Sequence, residues 1–289
     1  MGSLVGHVAP GFGFLVIGLW HLLNQVKLHI QNPETYHSLP WFPFTKIRYL
    51  ELFLIIVGCS SSIAMELFIG PHRHQPLDTD GTIPSNHLRN FEHSFISMTF
   101  LVYAVFAIIL DKYAPKVQYV LTQLLASIAF AQQLLLFHLH SVDHMGVEGQ
   151  YHMLLQILIL ISLITTLMGI NYQKSFIVSF IRSISIFFQG LWLMVMGFML
   201  WTRSLIPKGC SLNLEEAHYV VRCHEDEALE RAKSLVNIQF SWYLICVTIF
   251  AMTLYLAMHK FNEGRVEYEM LRSYDQNQEK TVQDIEAQT

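Results

Sequence analysis

Residues 138–152 read HLHSVDHMGVEGQYH. Four histidines (His138, His140, His144, His152) and two acids (Asp143, Glu148) lie there between two long apolar runs. Imidazole and carboxylate are the groups a protein uses to hold a metal ion or carry a proton, and both are costly near hydrocarbon. The stretch therefore points to a polar site at a membrane boundary. Histidine with Asp or Glu suits a divalent ion such as zinc or iron, and the lack of nearby cysteine argues against a thiolate site. The spacing matches no zinc signature such as HExxH, so a metal ion, a titrating cavity and a purely structural cluster stay open as alternatives. His140 and His144 would stack if their helix ran one more turn, whereas His138 and His140 would diverge by about 200°.

The elements that must position these groups are membrane spans. The chain is 53% hydrophobic and 14% charged, with a mean hydropathy of +0.38. Soluble domains average about a quarter charged residues. The net charge of −4 offers no nucleic-acid footprint. Runs of about 20 apolar residues read as transmembrane helices, near 7–28, 48–70, 90–110, 117–138, 151–171, 176–201 and 236–258. The expected fold is an all-α bundle of seven transmembrane helices over residues 1–259, with a polar tail over 260–289 disordered beyond a short helical extension. The first residues show no cleavable signal, and MGSLVG lacks the Ser or Thr at position 6 that myristoylation favours.

Lysine and arginine in the short loops set the expected orientation. One side receives Lys27, Lys46, Arg48, Lys112, Lys116, Lys174, Lys260, Arg265, Arg272 and Lys280; the other receives Arg73, Arg89, Arg203, Lys208, Arg222, Arg231 and Lys233. This bias places the N-terminus on the non-cytoplasmic side and the C-terminus in the cytoplasm. Cys210 and Cys223 then share an oxidising loop, where a disulfide would stiffen it; the alternative is two free thiols on a reducing side.

With that orientation the ionisable residues gather at the outer leaflet. His7 opens the first span, Glu66 nears the end of the second, Glu92 and His93 open the third, His138 and His140 end the fourth, and His152 opens the fifth. Helix ends near one surface can bring such groups together around a wet interior. A cation held by several of His138, His140, His144, His152, His93 and Glu66 is one expectation, with Asp143, Glu148, Glu92 and His7 as polar support. A proton-coupled or ligand-binding cavity is the other.

The cytoplasmic half offers His21, Glu51 and Arg182, with His29 in the loop after the first span. Arg182 is expected to snorkel rather than pair with Glu51. Glutamines 123, 132, 133, 156, 189 and 239 read as interhelical glue, and Gly11, Gly13 and Gly18 as close packing of the first span. Tyr268-Glu-Met-Leu271 has the pattern of a sorting signal read by cytoplasmic adaptors.

The segments GHVAPGFGFLVIGLWH, FEHSF and HLHSVDHMGVEGQYH together resemble the transmembrane protein 45 family. The loop KGCSLNLEEAHYVVRCHEDEALERAKSLVNIQFSWY is similar to its plant branch, the plant viral-response-like proteins. The resemblance runs over about residues 1–260. It implies a seven-span protein of the endomembrane system or plasma membrane and brings no reaction, substrate or catalytic residue. The leading expectation is thus a non-enzymatic membrane protein whose outer site binds a metal ion, protons or a small ligand, for transport or trafficking. One rival is a metal-dependent lipid hydrolase with a His-bound ion activating water; spans six and seven carry no histidine before His259, which counts against it. Another is a trafficking scaffold working through its tail. A receptor fits poorly with the six-residue N-terminal tail and short loops.

Overall fold

In hydrocarbon every backbone N–H and C=O must find its partner within the chain, and a helix of about 20 residues achieves that alone. The computed structural model describes the backbone of residues 4–70, 75–140, 146–215 and 218–286; the side chains of residues 86, 140, 218 and 265–286 fall outside that description. Among the described residues are seven helices long and apolar enough to cross a membrane. They are α1 (Leu4–Gln31), α2 (Leu50–Ala64), continued by a π-helical turn (Met65–Ile69), α3 (Leu88–Tyr113), α4 (Gln118–His140), α5 (Val147–Asn171), α6 (Phe176–Trp201) and α7 (Asp226–Glu286).

Consecutive helices from α2 to α6 pack side by side, α1 closes against α6, and α7 lies along α1, α5 and α6. The fold thus forms a bundle with α6 at its centre. Glycines set the α1–α6 distance. A Cβ on Gly18 would stand 2.3 Å from the Phe187 nitrogen, and one on Gly190 would stand 2.2 Å from the Leu15 nitrogen. Gly11 also faces α6, whereas Gly13 meets nothing within 4 Å and plays no such part. The core is built on Phe188, Trp192 and Met196 of α6 with Leu155 and Ile159 of α5. Phe14, Phe100 and Phe130 join α1, α3 and α4 edge to face, at 5.4 and 5.5 Å between ring centres. The Trp192 indole N–H finds its acceptor in the Tyr151 carbonyl at 3.0 Å, as a buried indole requires.

The expected Cys210–Cys223 disulfide is present, on a pair of strands that the helical plan did not include, and the start of the seventh helix and the 32–49 connection also depart from that plan. A two-stranded antiparallel hairpin stands between α6 and α7, β1 (Cys210–Glu215) against β2 (His218–Cys223), with Cys210 opposite Cys223 and the two joined by a disulfide. The seventh helix begins at Asp226, well ahead of the expected 236, and Asp226 and Glu227 suit the positive end of its dipole. Its backbone stays helical through Glu286, where the sequence reads a tail without fixed structure. Residues 32–49 form a strap, not a simple loop: Tyr36, Ser38, Trp41 and Phe42 are buried under the bundle.

Candidate functional site

The ends of α1 to α6 that surround His7 hold the expected cluster in part. Glu66 sits on the π-helical turn, where the Gly70 amide donates to the Met65 carbonyl five residues back at 2.7 Å. Such turns re-aim a side chain within a helix. One Glu66 oxygen meets His93 Nδ1 at 3.3 Å; the other accepts from Asn90 Nδ2 at 2.8 Å, and Asn90 also bonds the Glu66 carbonyl at 3.1 Å. Both side chains of the Glu66–His93 pair are largely shielded, 14% and 21% exposed. Asn90 is a member that sequence reasoning missed, although it stands one helical turn before His93.

His7 and His152, both buried, meet edge to face at 5.8 Å between ring centres. His7 also lies against Trp201 at 4.5 Å, and His152 against Phe137 at 5.8 Å. His152 Nδ1 donates to the Glu148 carbonyl at 2.9 Å, which leaves Nε2 as the nitrogen with a lone pair. His93 stands within electrostatic reach of His152, so the two pairs form one neighbourhood. Glu148 enters through its carbonyl, and Glu92 is half-buried beside His93. His138 is exposed and donates to Gln156 Oε1 at 3.2 Å. Asp143 and His144 lie outside the described residues, as do the side chains of His140, Tyr268 and Leu271. Among the described residues no three of His, Cys, Asp or Glu converge as metal ligands.

The opposite end carries a second polar system, of which the sequence marks His21, Glu51 and Arg182 but not their partners. Glu51, 4% exposed at the start of α2, accepts from His21 Nε2 at 2.7 Å, Trp20 Nε1 at 3.1 Å and the Phe42 amide at 2.8 Å. Gln25 accepts from the Tyr36 hydroxyl at 2.6 Å, and burial pushes that phenol up to about 12, so it remains a donor. Tyr119 donates to the Gly169 carbonyl at 2.9 Å and contacts Ser38 at 2.8 Å. Tyr103 donates to the Pro40 carbonyl at 3.2 Å. The strap thus supplies main-chain partners that no side-chain pattern records.

Two expectations are corrected here. Arg182 does not snorkel: it is 4% exposed and donates from Nη2 to the Leu39 carbonyl at 3.4 Å, because the strap and α5 cover its side chain. His29 is not a loop residue; it lies in the last turn of α1, stacked on Phe176 at 4.0 Å. The glutamines divide. Gln123 and Gln156 bond to neighbours, while buried Gln189 has neither amide atom partnered.

Fold and composition define a seven-helix protein that spans a membrane, with ionisable groups gathered inside both ends of its bundle. Residues 119–256, from the start of α4 into the apolar part of α7, match the model of a family of unknown function, DUF716.

Proposed function

We propose that this chain is a proton-binding membrane protein of the transmembrane protein 45 family, of its plant branch, and that it works through the His7 end of the bundle, which faces the non-cytoplasmic side of an endomembrane or the plasma membrane. The family reading is supported by the match over residues 119–256, since DUF716 contains the transmembrane protein 45 proteins. The proton reading rests on one observation, the shielded Glu66–His93 contact at 3.3 Å. An imidazole beside a carboxylate shares one proton between two bases, and histidine titrates near neutral pH. Asn90 holds the second carboxylate oxygen, so the pair stays aligned whichever partner carries the proton. Transport coupled to that proton is the use we assign to it.

A second reading has its own support. A histidine that ligates a metal commonly donates its other ring nitrogen to a carbonyl, as His152 does to Glu148. Zinc or iron at His7 and His152 would recruit further ligands from residues 138–144, and a metal-dependent hydrolase would start from the same ion. Elemental analysis of purified protein separates the readings. A stoichiometric metal that His152→Ala removes favours the second.

Trp201 reports on the first reading, because it lies against His7 at the same end of the bundle and its emission responds to charge gained nearby. Between about pH 8 and 5, the emission of the wild type should fall, and Trp201→Phe should remove the change. Glu66→Gln with His93→Gln should shift its midpoint. A midpoint unmoved by the double variant would exclude the pair as the protonation site.

A further inference from the structure

We propose that Arg182 is the seat of an anion site at the Glu51 end of the bundle and that it takes a small monocarboxylate. This site is separate from the cluster at His7 and does not depend on how that cluster is used.

Arg182 is a permanent cation within the apolar interior, seven residues into α6. Its Nη2 has one neutral acceptor, the Leu39 carbonyl, at the long distance of 3.4 Å, and its Nη1 is buried without any partner. No carboxylate among the described residues lies within ion-pair distance of it. Glu51 is the nearest candidate by position, since the Tyr103 hydroxyl lies in electrostatic reach of both groups. But both Glu51 oxygens are occupied, one by His21 and the other by Trp20 and the Phe42 amide, so Glu51 is pinned away. A buried guanidinium left uncompensated is among the costliest arrangements a fold can hold, and one remedy is an anion brought from outside.

The surroundings select the kind of anion. Gly169 lets the guanidinium reach the α5 backbone: a Cβ there would lie 3.1 Å from Nη1 and 3.6 Å from Gln123 Nε2. Nη1 and the Gln123 amide therefore border the same spot. Gln123 gives one N–H to the Tyr119 hydroxyl at 3.3 Å and keeps a second. One positive charge with neutral donors around it balances one negative charge. A dianion such as sulfate would bring an uncompensated charge into the interior. The planar fork of arginine matches a carboxylate with two oxygens. Leu39, whose carbonyl touches the guanidinium, lies on the strap that covers this end, with its own side chain exposed.

The test is the thermal midpoint of the full chain in detergent, titrated with sodium acetate or sodium octanoate, with sodium sulfate holding the ionic strength. Saturating acetate should raise the midpoint by about 3 °C, and Arg182→Met should abolish the rise while staying folded, since an apolar side chain removes the buried charge. Octanoate acting where acetate does not would identify a fatty acid from the bilayer as the carboxylate source. Should Arg182→Met fail to fold, Arg182→Lys carries the test: its point charge lacks the fork, and the rise should drop to half or less. No rise with either acid, or an undiminished rise in these variants, overturns the proposal.

Discussion

Gly18 of α1 and Phe187 of α6 approach until a Cβ on the glycine would stand 2.3 Å from the Phe187 nitrogen. The obstacle is backbone, so no side chain can move aside. The alanine variant must push two helices apart along their whole contact. Gly18→Ala and Gly190→Ala should each cost at least about 1–3 kcal/mol and lower the folded yield in detergent. Gly13→Ala, in open space, should stay within about 0.5 kcal/mol of wild type. Equal behaviour of Gly13 and Gly18 in an unfolding titration would refute the α1–α6 packing.

The His21–Glu51 contact at 2.7 Å is buried on both sides. Removing the carboxylate strands three donors, and Glu51→Ala should destabilise by about 3–5 kcal/mol. Glu51→Gln keeps an acceptor for the Phe42 amide and should cost less. The strap hangs from the same residue, so proteolysis within residues 32–49 should quicken in both variants. An unchanged cleavage rate would show that Glu51 does not hold the strap.

Cys210 and Cys223 close a loop with a sequence separation of 13. Cys210→Ser should lower stability by about 3 kcal/mol, and a reductant should do the same to the wild type. The free thiols are Cys59 and Cys246. Alkylation of intact membranes before and after reduction therefore reports whether the hairpin lies on the oxidising side, as the proposed orientation requires.

The Arg222 guanidinium, bonded to both oxygens of Glu215 at 2.8 and 2.7 Å, holds that carboxyl below its ordinary range. A lowered carboxylate stabilises the fold above its unfolded value and loses that contribution as the pH falls through the folded one. Glu215→Gln should therefore differ slightly from wild type at neutral pH and converge with it near about pH 3. High salt should erase the difference, because the pair is well exposed.

The spans were readable because hydrocarbon imposes a length and a composition, and the gathering at His7 was readable because ionisable residues at the ends of apolar runs stand out. Of the Glu51 system only His21, Glu51 and Arg182 stood out, and their partners did not. Gln25, Tyr36, Tyr103, Tyr119 and Gln123 are individually ordinary residues in separate elements, and some of the partners at this end are main-chain carbonyls, Pro40 and Leu39 of the strap and Gly169 of α5. A proline-rich stretch such as 32–49 reads as a solvent loop, because sequence pattern carries no information on which carbonyl a distant side chain will reach. Arg182 misled for a related reason. Snorkelling depends on a side chain facing lipid, and that of Arg182 is covered by the strap and α5.

The most direct measurement is proton uptake by the purified protein in weak buffer, wild type beside Glu66→Gln with His93→Gln, titrated from about pH 8 to 5. The proposed role predicts that the wild type binds about one proton more than the double variant across that range. Identical uptake by two equally folded proteins would contradict it.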